Sequence, residues 1–188
     1  MIIVSIIALI FASPFLQHIL VYPQNEFFTE LSLLGPAHTA ENYPYNITRN
    51  VDYTIYLEIT NHLGSSANYE VHVKFRNETQ SAPDAFNKSF GALPSLYTVN
   101  KIVADNEGWE LPVTFSLDYS SNAAKVSFKS LMLNGQLLSL SGLTSDYNST
   151  RQIYYGNLIF ELWIYNSTSS SFQYHERYVD LKFNMATI

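Results

Sequence analysis

The chain has no cysteine, few charged residues and no run of basic side chains. Without cysteine it forms no disulfide, thiol nucleophile, Cys-ligated zinc site or iron–sulfur cluster. Charged residues make up 14% of the chain, against about 25% in ordinary soluble proteins. The net charge of −6 carries no cationic patch of the kind that binds a phosphate backbone. We therefore expect no nucleic-acid partner.

Apolar and aromatic residues are abundant instead. They make up 47% and 15% of the chain, including 14 tyrosines and 12 phenylalanines. Disordered chains are poor in aromatic residues and rich in charge, so this composition indicates a packed core. A length of 188 residues predicts one domain, with room for an appendage.

The first part of the chain is a long apolar run. Ile2–Tyr22 contains no charged residue and ends at Pro23. A helix needs about 20 apolar residues to cross about 30 Å of hydrocarbon, so we predict a transmembrane anchor over residues 1–23. A cleaved signal peptide is the alternative, but no basic residue precedes Arg49 and Ala12-Ser13-Pro14 is a weak cleavage site. A buried core helix would be amphipathic, and this run is apolar all round.

The pattern changes to a period of two after the run, which predicts a β domain over residues 24–188. The segment Val51–Thr60 alternates apolar and polar residues strictly, and Tyr69–Arg76 repeats the pattern. The polar connection Asn61–Ser66 predicts that these two strands form a hairpin. Asn134-Gly135, between Lys125–Leu133 and Gln136–Ser141, is the strongest hairpin signal.

Further strands complete an all-β fold. They are expected at Leu158–Tyr165 and Phe172–Phe183, which flank the polar loop Asn166–Ser171, and at Phe28–Leu34, Leu96–Val103 and Val113–Leu117. Seven to nine short strands with frequent turns predict an antiparallel immunoglobulin-like β-sandwich, preceded by one transmembrane helix. A true immunoglobulin domain is not implied, because the Cys…Trp…Cys pattern is missing.

The β domain contains five Asn-x-Ser/Thr sequons, none with proline in the middle. The motif marks surface loops of exported chains, so we predict N-glycosylation, with polar turn chemistry as the alternative. This predicts an extracellular β domain on a single-pass anchor whose N-terminus lies inside, in contact with membrane lipid. The acceptor asparagines would be Asn46, Asn77, Asn87, Asn148 and Asn166.

No motif for catalysis or metal binding is present. The chain lacks HExxH, HxH, GxSxG, P-loop and GxGxxG patterns. Asp105–Gly108 resembles a calcium loop but lacks EF-hand spacing, so a tight turn is favoured. Trp163 is interpreted as a core residue, and Trp109 as a core residue or a sugar-stacking platform. The sequence therefore predicts no catalytic, cofactor or metal residues and a non-enzymatic protein.

Each histidine is interpreted on its own, as a residue that does not bind a metal ion. His72 is expected to be solvated on the outward face of a strand, His62 to lie in a turn, and His175 to lie at an exposed strand end. A metal site would need several ligands that converge, and the spacing gives no sign of this.

Several blocks resemble one protein family. They are Phe28–Leu31, Leu34–Pro36, Ala40–Pro44 with Asn46–Thr48, Asn61-His62, Asn106–Phe115 and Lys125–Phe128. Together they resemble the archaeal membrane-protein family known as domain of unknown function 1616, over about Phe27 to Phe183. The resemblance implies an archaeal source and a cell-surface β domain with a shortened membrane region. It implies no activity and no catalytic residues.

Three functions are compatible with these observations. An accessory or structural subunit of a larger membrane or envelope complex fits the anchor, the short tether and the polar residues Ser5, Gln17 and His18 in the run, which could contact partner helices. A pilin-like filament subunit has the same architecture, but no basic processing site precedes the run and Pro14 would lie in the packed helix. A surface enzyme acting on glycans or lipids would require a cleft with converging carboxylates or a metal.

Overall fold

The structure is a computed structural model that describes residues 27–84, 86–122 and 124–185. The predicted anchor over residues 1–23 lies outside the described residues, and no helix within them is long and apolar enough to cross a membrane. The described part of the chain is all-β. Its eleven strands are β1 (Phe28–Leu34), β2 (Asn46–Ile47), β3 (Tyr53–His62), β4 (Ala67–Arg76), β5 (Tyr97–Val103), β6 (Gly108–Ser121), β7 (Lys125–Leu133), β8 (Gln136–Ser139), β9 (Thr144–Asn148), β10 (Ile153–Asn166) and β11 (Ser171–Met185).

The strands form one curled, mixed sheet. Its main path runs β1-β3-β6-β7-β9-β10-β11-β2, while β4 pairs with β10 and β5, and β8 pairs with β7. The sheet has two halves: one contains β1, β3, β6, β7 and β8, and the other contains β2, β4, β5, β10 and β11. Strand β9 joins them, because it pairs with β7 of the first half and with β10 of the second. The halves share one core: the ring centroids of Phe75 and Phe128 lie 4.8 Å apart, and those of Phe115 and Phe183 lie 6.1 Å apart.

The alternating sequence pattern corresponds to alternating burial. In β3, Ile55, Leu57 and Ile59 are fully buried while the residues between them are only half-buried. The strand predicted at Phe28–Leu34 is confirmed, as is the one at Lys125–Leu133. The predicted hairpins β7–β8 and β10–β11 are also confirmed.

The turn between β7 and β8 shows why its two residues are Asn and Gly. Asn134 has φ of 47° and Gly135 has φ of 80°, the left-handed conformation that a two-residue hairpin turn requires at both central positions. The Asn134 side chain also accepts a hydrogen bond from the Thr114 N–H and donates one to the Pro112 carbonyl. The turn thereby extends the hydrogen bonding of β7 along the middle of the neighbouring strand β6.

Three expectations about topology were wrong. Strand β3 pairs with β1 and β6, and β4 pairs with β10 and β5, so the predicted β3–β4 hairpin does not form. The connection after β3 instead carries the chain from one half of the sheet to the other. Residues 27–185, apart from 85 and 123, form eleven strands rather than seven to nine, because the short strands β2 and β9 carry no alternating pattern. The sheet is mixed rather than antiparallel, since β2 pairs with β11 in parallel.

Strand β10 is the centre of the second half. Residues 154–162 are buried without a break, on both faces of the strand. One face packs into the shared core through Leu158, Phe160 and Leu162. The other face is covered by the connection between β4 and β5, whose Gly91 and Phe90 contact Glu161 and Trp163. This covered side of β10 and its neighbours is called the outer face below.

Candidate functional site

Four of the five sequon asparagines lie at the surface. Asn46 and Asn87 are exposed, and Asn148 and Asn166 are half-buried. Their side-chain amides bond other surface side chains: the Nδ2 atoms of Asn87, Asn148 and Asn166 donate to Asp84, Glu78 and Gln173, and Asn46 Oδ1 accepts from Asn184 Nδ2. A glycan attached at any of these positions would displace one surface hydrogen bond at most. The geometry is therefore compatible with modification at these four residues.

Asn77 differs from the other four. Its side chain is 8% exposed, and its Nδ2 atom donates to the Thr144 carbonyl at 2.7 Å. Its Oδ1 atom accepts from the backbone N–H groups of Thr79 and Gln80, as in an Asx turn. A glycan on Asn77 Nδ2 of the folded domain would have to fit into this buried site beside β9. The turn chemistry weighed as the alternative is therefore present at this sequon.

A buried hydrogen-bond network ties together the end of the domain at which β1 begins. We call it the Asn61 network; it consists of Asn61, Thr29, Tyr69 and His175. Asn61 Nδ2 donates to the carbonyls of Ser65 and Val103, and Asn61 Oδ1 accepts from the Leu63 N–H and the Tyr69 hydroxyl. All four hydrogen-bonding positions of the Asn61 amide are therefore used.

The network continues from Asn61 to the last strand. The Tyr69 hydroxyl lies 2.8 Å from Thr29 Oγ1, which lies 2.9 Å from His175 Nε2. Burial raises the pKa of Tyr69, and burial lowers the pKa of His175, with nearby Arg177 adding to the effect. Both groups are therefore held in their neutral forms near pH 7. Strands β1, β3, β4 and β11 meet at this neutral centre.

A second buried polar centre lies on the outer face of β10. Lys74 and Glu161 are 3% and 0% exposed, and Lys74 Nζ lies 2.7 Å from Glu161 Oε2. The ammonium donates to the Gly91 carbonyl, and the Gly91 N–H donates to Glu161 Oε1. Glu161 Oε2 has the ionic contact but no aligned hydrogen bond. The pair thus holds the β4–β5 connection against the sheet.

Aromatic rings surround this ion pair. The Phe90 ring lies 5.2 Å from that of Trp163 and 6.0 Å from that of Tyr174, and Lys74 Nζ lies 5.5 Å from the Phe90 ring. Burial raises the pKa of Tyr174 to about 12, with the Glu161 carboxylate adding to the rise. Within the described residues, four buried atoms on this face besides Glu161 Oε2 lack a hydrogen-bond partner: Arg76 Nε, Asn157 Oδ1, Trp163 Nε1 and Tyr174 Oη.

Several histidines and one tryptophan lie in environments that the sequence did not predict. His72 is not solvated: its ring stacks on Trp163 at 4.6 Å, and it bonds Glu70. His175 is half-buried in the Asn61 network rather than exposed, and His62 ends β3. Trp109 is confirmed as a core residue at 6% exposure, whereas Trp163 lies on the outer face and not in the core cluster.

In the part of the chain that the structure describes, the acidic and histidine side chains do not converge on one site. Within residues 27–84, 86–122 and 124–185, no three His, Asp or Glu side chains are placed to hold a metal ion. The turn at Asp105–Gly108 is a tight turn as favoured, in which the Glu107 N–H bonds the Ala104 carbonyl and Asn106 has φ of 60°. Asp105 Oδ1 accepts the Gly64 N–H instead of facing an open loop.

A groove of about 660 Å³ lies beside β11. It is lined by Leu33, Tyr43 and the segment Tyr178–Lys182. Along this segment β11 pairs with β10 on one side, and no second strand among the described residues pairs with the other side. The facing edge of β1 is partly capped, because the Tyr43 hydroxyl donates to the Leu33 carbonyl. The groove therefore exposes the backbone of an edge strand.

Comparison with known proteins identifies a family but no activity. The family described as Domain of unknown function (DUF1616) matches residues 23–151. The match begins just after the apolar run and reaches the turn before β10, so it stops short of the predicted extent to Phe183. No curated protein matches the chain. The matched residues make up more than half of the chain, and the protein belongs to the domain of unknown function 1616 family.

Proposed function

We propose that this protein is a membrane-anchored, N-glycosylated domain of the archaeal cell surface. It acts without catalysis, as an accessory or structural subunit of a larger membrane or envelope complex. Its N-terminus lies inside and its β domain outside the cell, with membrane lipid and integral membrane or envelope proteins as partners.

One observation carries this proposal: a charge-free apolar run leads directly into an all-β domain. Only Pro23–Glu26 and Phe27 separate Tyr22 from β1. A run of this length and composition is typical of a membrane span. Four surface sequons on the described domain support an outward orientation, because the modification belongs to exported chains.

The architecture supports a more specific fold. The two halves of the curled sheet pack their apolar faces on one core, as the two sheets of a sandwich do. We infer an immunoglobulin-like β-sandwich whose halves are bridged by β9. The groove beside β11 supports the interaction role, because an exposed edge strand offers backbone groups that a partner polypeptide can bind.

Purification of the native protein from its membrane in mild detergent tests the proposal. Integral membrane proteins should co-purify in fixed stoichiometry and be identified by mass spectrometry. The control is a variant with Ile7→Lys and Ile10→Lys, since each lysine at a span centre costs about 3 kcal/mol of insertion free energy. This variant should lose both membrane association and the partners. A lone monomer would contradict the subunit role, and long fibres would favour the filament instead.

The intact mass of the same preparation tests the orientation. We expect attached glycans, and Asn46→Gln should lower the mass by one glycan. Asn77→Gln should leave the glycan mass unchanged, because the Asn77 amide is buried and bonded to Thr144. An unmodified polypeptide mass would contradict the glycosylated surface domain.

A further inference from the structure

The end of the domain at which β1 begins is well defined by the register of the strands. Phe28 pairs with His62 at the end of β3, and Ala67 pairs with Val103 at the end of β5. The Asn61 network joins these strand ends, since Asn61 bonds Val103 and Tyr69, and Thr29 bonds Tyr69 and His175. We call this the Asn61 end. The apolar run therefore joins the domain at a rigid, hydrogen-bonded end.

Exposed apolar side chains lie on both sides of the Asn61 end. On the β1 side, Phe27 and Phe28 are 69% and 39% exposed. The Phe27 ring packs over Gly64, where a β-carbon would lie 2.6 Å from Cε1; Gly64 also has φ of 73°, so glycine is needed there twice over. The Phe28 ring contacts that of His62 at 4.7 Å.

The opposite side carries a matching row. Ile102, which pairs with Asn68, is 67% exposed. Tyr165 is 43% exposed, lies one position beyond the pair Tyr69↔Ile164, and contacts the Phe172 ring at 5.4 Å. The apolar side chains of this row come from β5, β10 and β11 on the outer face, with Asn68 of β4 between Ile102 and Tyr165. Aromatic residues with an apolar body and a polar tip favour the boundary between lipid and water.

The length of the connection places this end next to the bilayer. The four residues Pro23–Glu26 span at most about 14 Å when fully extended. The headgroup region on each side of a bilayer is itself about 5–8 Å thick. Phe27 is therefore held within reach of the interface as soon as the run spans the hydrocarbon. The occupant that this geometry selects for the exposed apolar side chains is lipid.

The charges at the Asn61 end specify the kind of contact. The side chains of Glu30, Asp105 and Glu107 lie near the strand ends, and the cations Lys101 and Arg177 lie at the same end, so the mixed charge gives no strong attraction for anionic headgroups. Contact through apolar and aromatic groups needs no anionic lipid. The sequon Asn166 follows Tyr165 directly, so a glycan there would lie along the polar headgroup layer.

We propose that the Asn61 end rests in the membrane interface, with Phe27, Phe28, Ile102, Tyr165 and Phe172 in contact with lipid. The domain is then seated on the bilayer rather than held away from it by a tether. This inference rests on the proposed membrane anchor, and it adds the face of the domain that meets the lipid. The groove beside β11 and the exposed sequon Asn46 remain outside this contact.

The absence of cysteine allows a direct test with single-cysteine variants of the full chain. Ile102→Cys and Leu137→Cys form a matched pair, because the two side chains are 67% and 66% exposed. Leu137 pairs with Met132, which pairs with Ser116 of β6. Ser116 lies eight residues along β6 from Gly108 at the Asn61 end, so Leu137 lies about 26 Å from that end. Each variant is labelled with an environment-sensitive fluorophore and reconstituted into neutral phosphatidylcholine vesicles that carry a lipid-bound quencher.

The expected result is a blue-shifted emission and loss of intensity at position 102, with neither change at position 137. Tyr165→Cys should behave like Ile102→Cys, which guards against a local folding defect in one variant. Flotation of the same samples measures membrane anchoring independently of the fluorescence. Chain that floats with the vesicles while position 102 stays unquenched would overturn the seating and leave the anchor intact. Equal quenching at both positions would also overturn it, and chain that does not float would overturn the anchor itself.

Discussion

The Asn61 network and the Lys74–Glu161 pair are two buried polar centres that differ in how they are compensated. Asn61 is neutral and uses every hydrogen-bonding position of its amide. Lys74 and Glu161 are charged groups, and Glu161 Oε2 relies on the ionic contact alone. Burying a charge costs far more than burying a satisfied amide.

The difference teaches that the two centres stabilise the fold in different ways. The neutral network joins four strands through bonds that each contribute modestly. The ion pair secures the β4–β5 connection on the outer face, and removing either partner would leave an uncompensated charge. A substitution in the Asn61 network should therefore cost less unfolding free energy than the removal of one charge from the Lys74–Glu161 pair.

Removal of one charge should give the largest effect. Glu161→Leu leaves the Lys74 ammonium buried without a counter-charge, so we expect it to lower the free energy of unfolding by about 3–5 kcal/mol. Denaturant unfolding of the full chain in mild detergent would measure this loss. The control is the double variant Lys74→Met/Glu161→Leu, which removes both charges and should recover much of the stability. A cost below about 1 kcal/mol for the single variant would contradict the importance of the pair.

Truncation of Asn61 should have a smaller but still large effect. Asn61→Ala leaves the Leu63 N–H and the Val103 carbonyl without their buried partner, and we expect a loss of about 2–4 kcal/mol. The same unfolding assay applies. The exposed Asn100→Ala in β5 is the matched control and should change stability by no more than about 0.5 kcal/mol. Equal effects of the two substitutions would show that the network contributes little.

Acidification should act on the Asn61 network through His175. The folded domain lowers the pKa of this imidazole below its usual 6.5, so the unfolded chain takes up the proton more readily. Stability should therefore fall as the pH drops below about 6.5 and level off below the folded pKa. His175→Gln, which retains a hydrogen-bonding group, should show a smaller loss of melting temperature between pH 7.5 and 5.5. Identical losses in the two proteins would contradict a neutral His175.

An exposed ion pair should give the smallest effect and sharpen the contrast with the buried one. Lys88 Nζ lies 2.6 Å from Glu176 Oε2, as close as the buried pair, but the two side chains are 64% and 51% exposed. We expect Lys88→Gln to cost at most about 1 kcal/mol, and to cost less still in high salt. The cost of Glu161→Leu should change little with salt. A large effect at Lys88 would mean that distance, not burial, determines the strength.

Local signals predicted local structure. The alternation in β3 and the Asn134-Gly135 turn depend on neighbours in sequence, and both predictions are confirmed. The predicted β3–β4 hairpin does not form, because a short polar connection can turn the chain back beside the same strand or carry it across to the other half of the sheet. Asn61 bonds Ser65 within the connection and Val103 of β5, and the second of these is a long-range contact that the spacing does not reveal.

The polar centres were missed for a related reason. Residues 158–164 are apolar except for Glu161, a pattern that favours a strand buried on both faces, and Glu161 was the available clue to a buried charge. Its partner Lys74 looked solvated because it alternates outward in β4, and only the β4–β5 connection covers it. The family resemblance was recognisable from its residue blocks, and its match over residues 23–151 confirms it.

Labelling of intact cells tests the central proposal, a β domain anchored on the cell surface, most directly. The variant Leu137→Cys places one thiol at an exposed site of a chain that has no other. A membrane-impermeant maleimide should modify this thiol on intact cells, and the labelled chain should remain in the membrane after alkaline extraction. Labelling that requires broken cells, or release of the chain by alkali, would contradict the account.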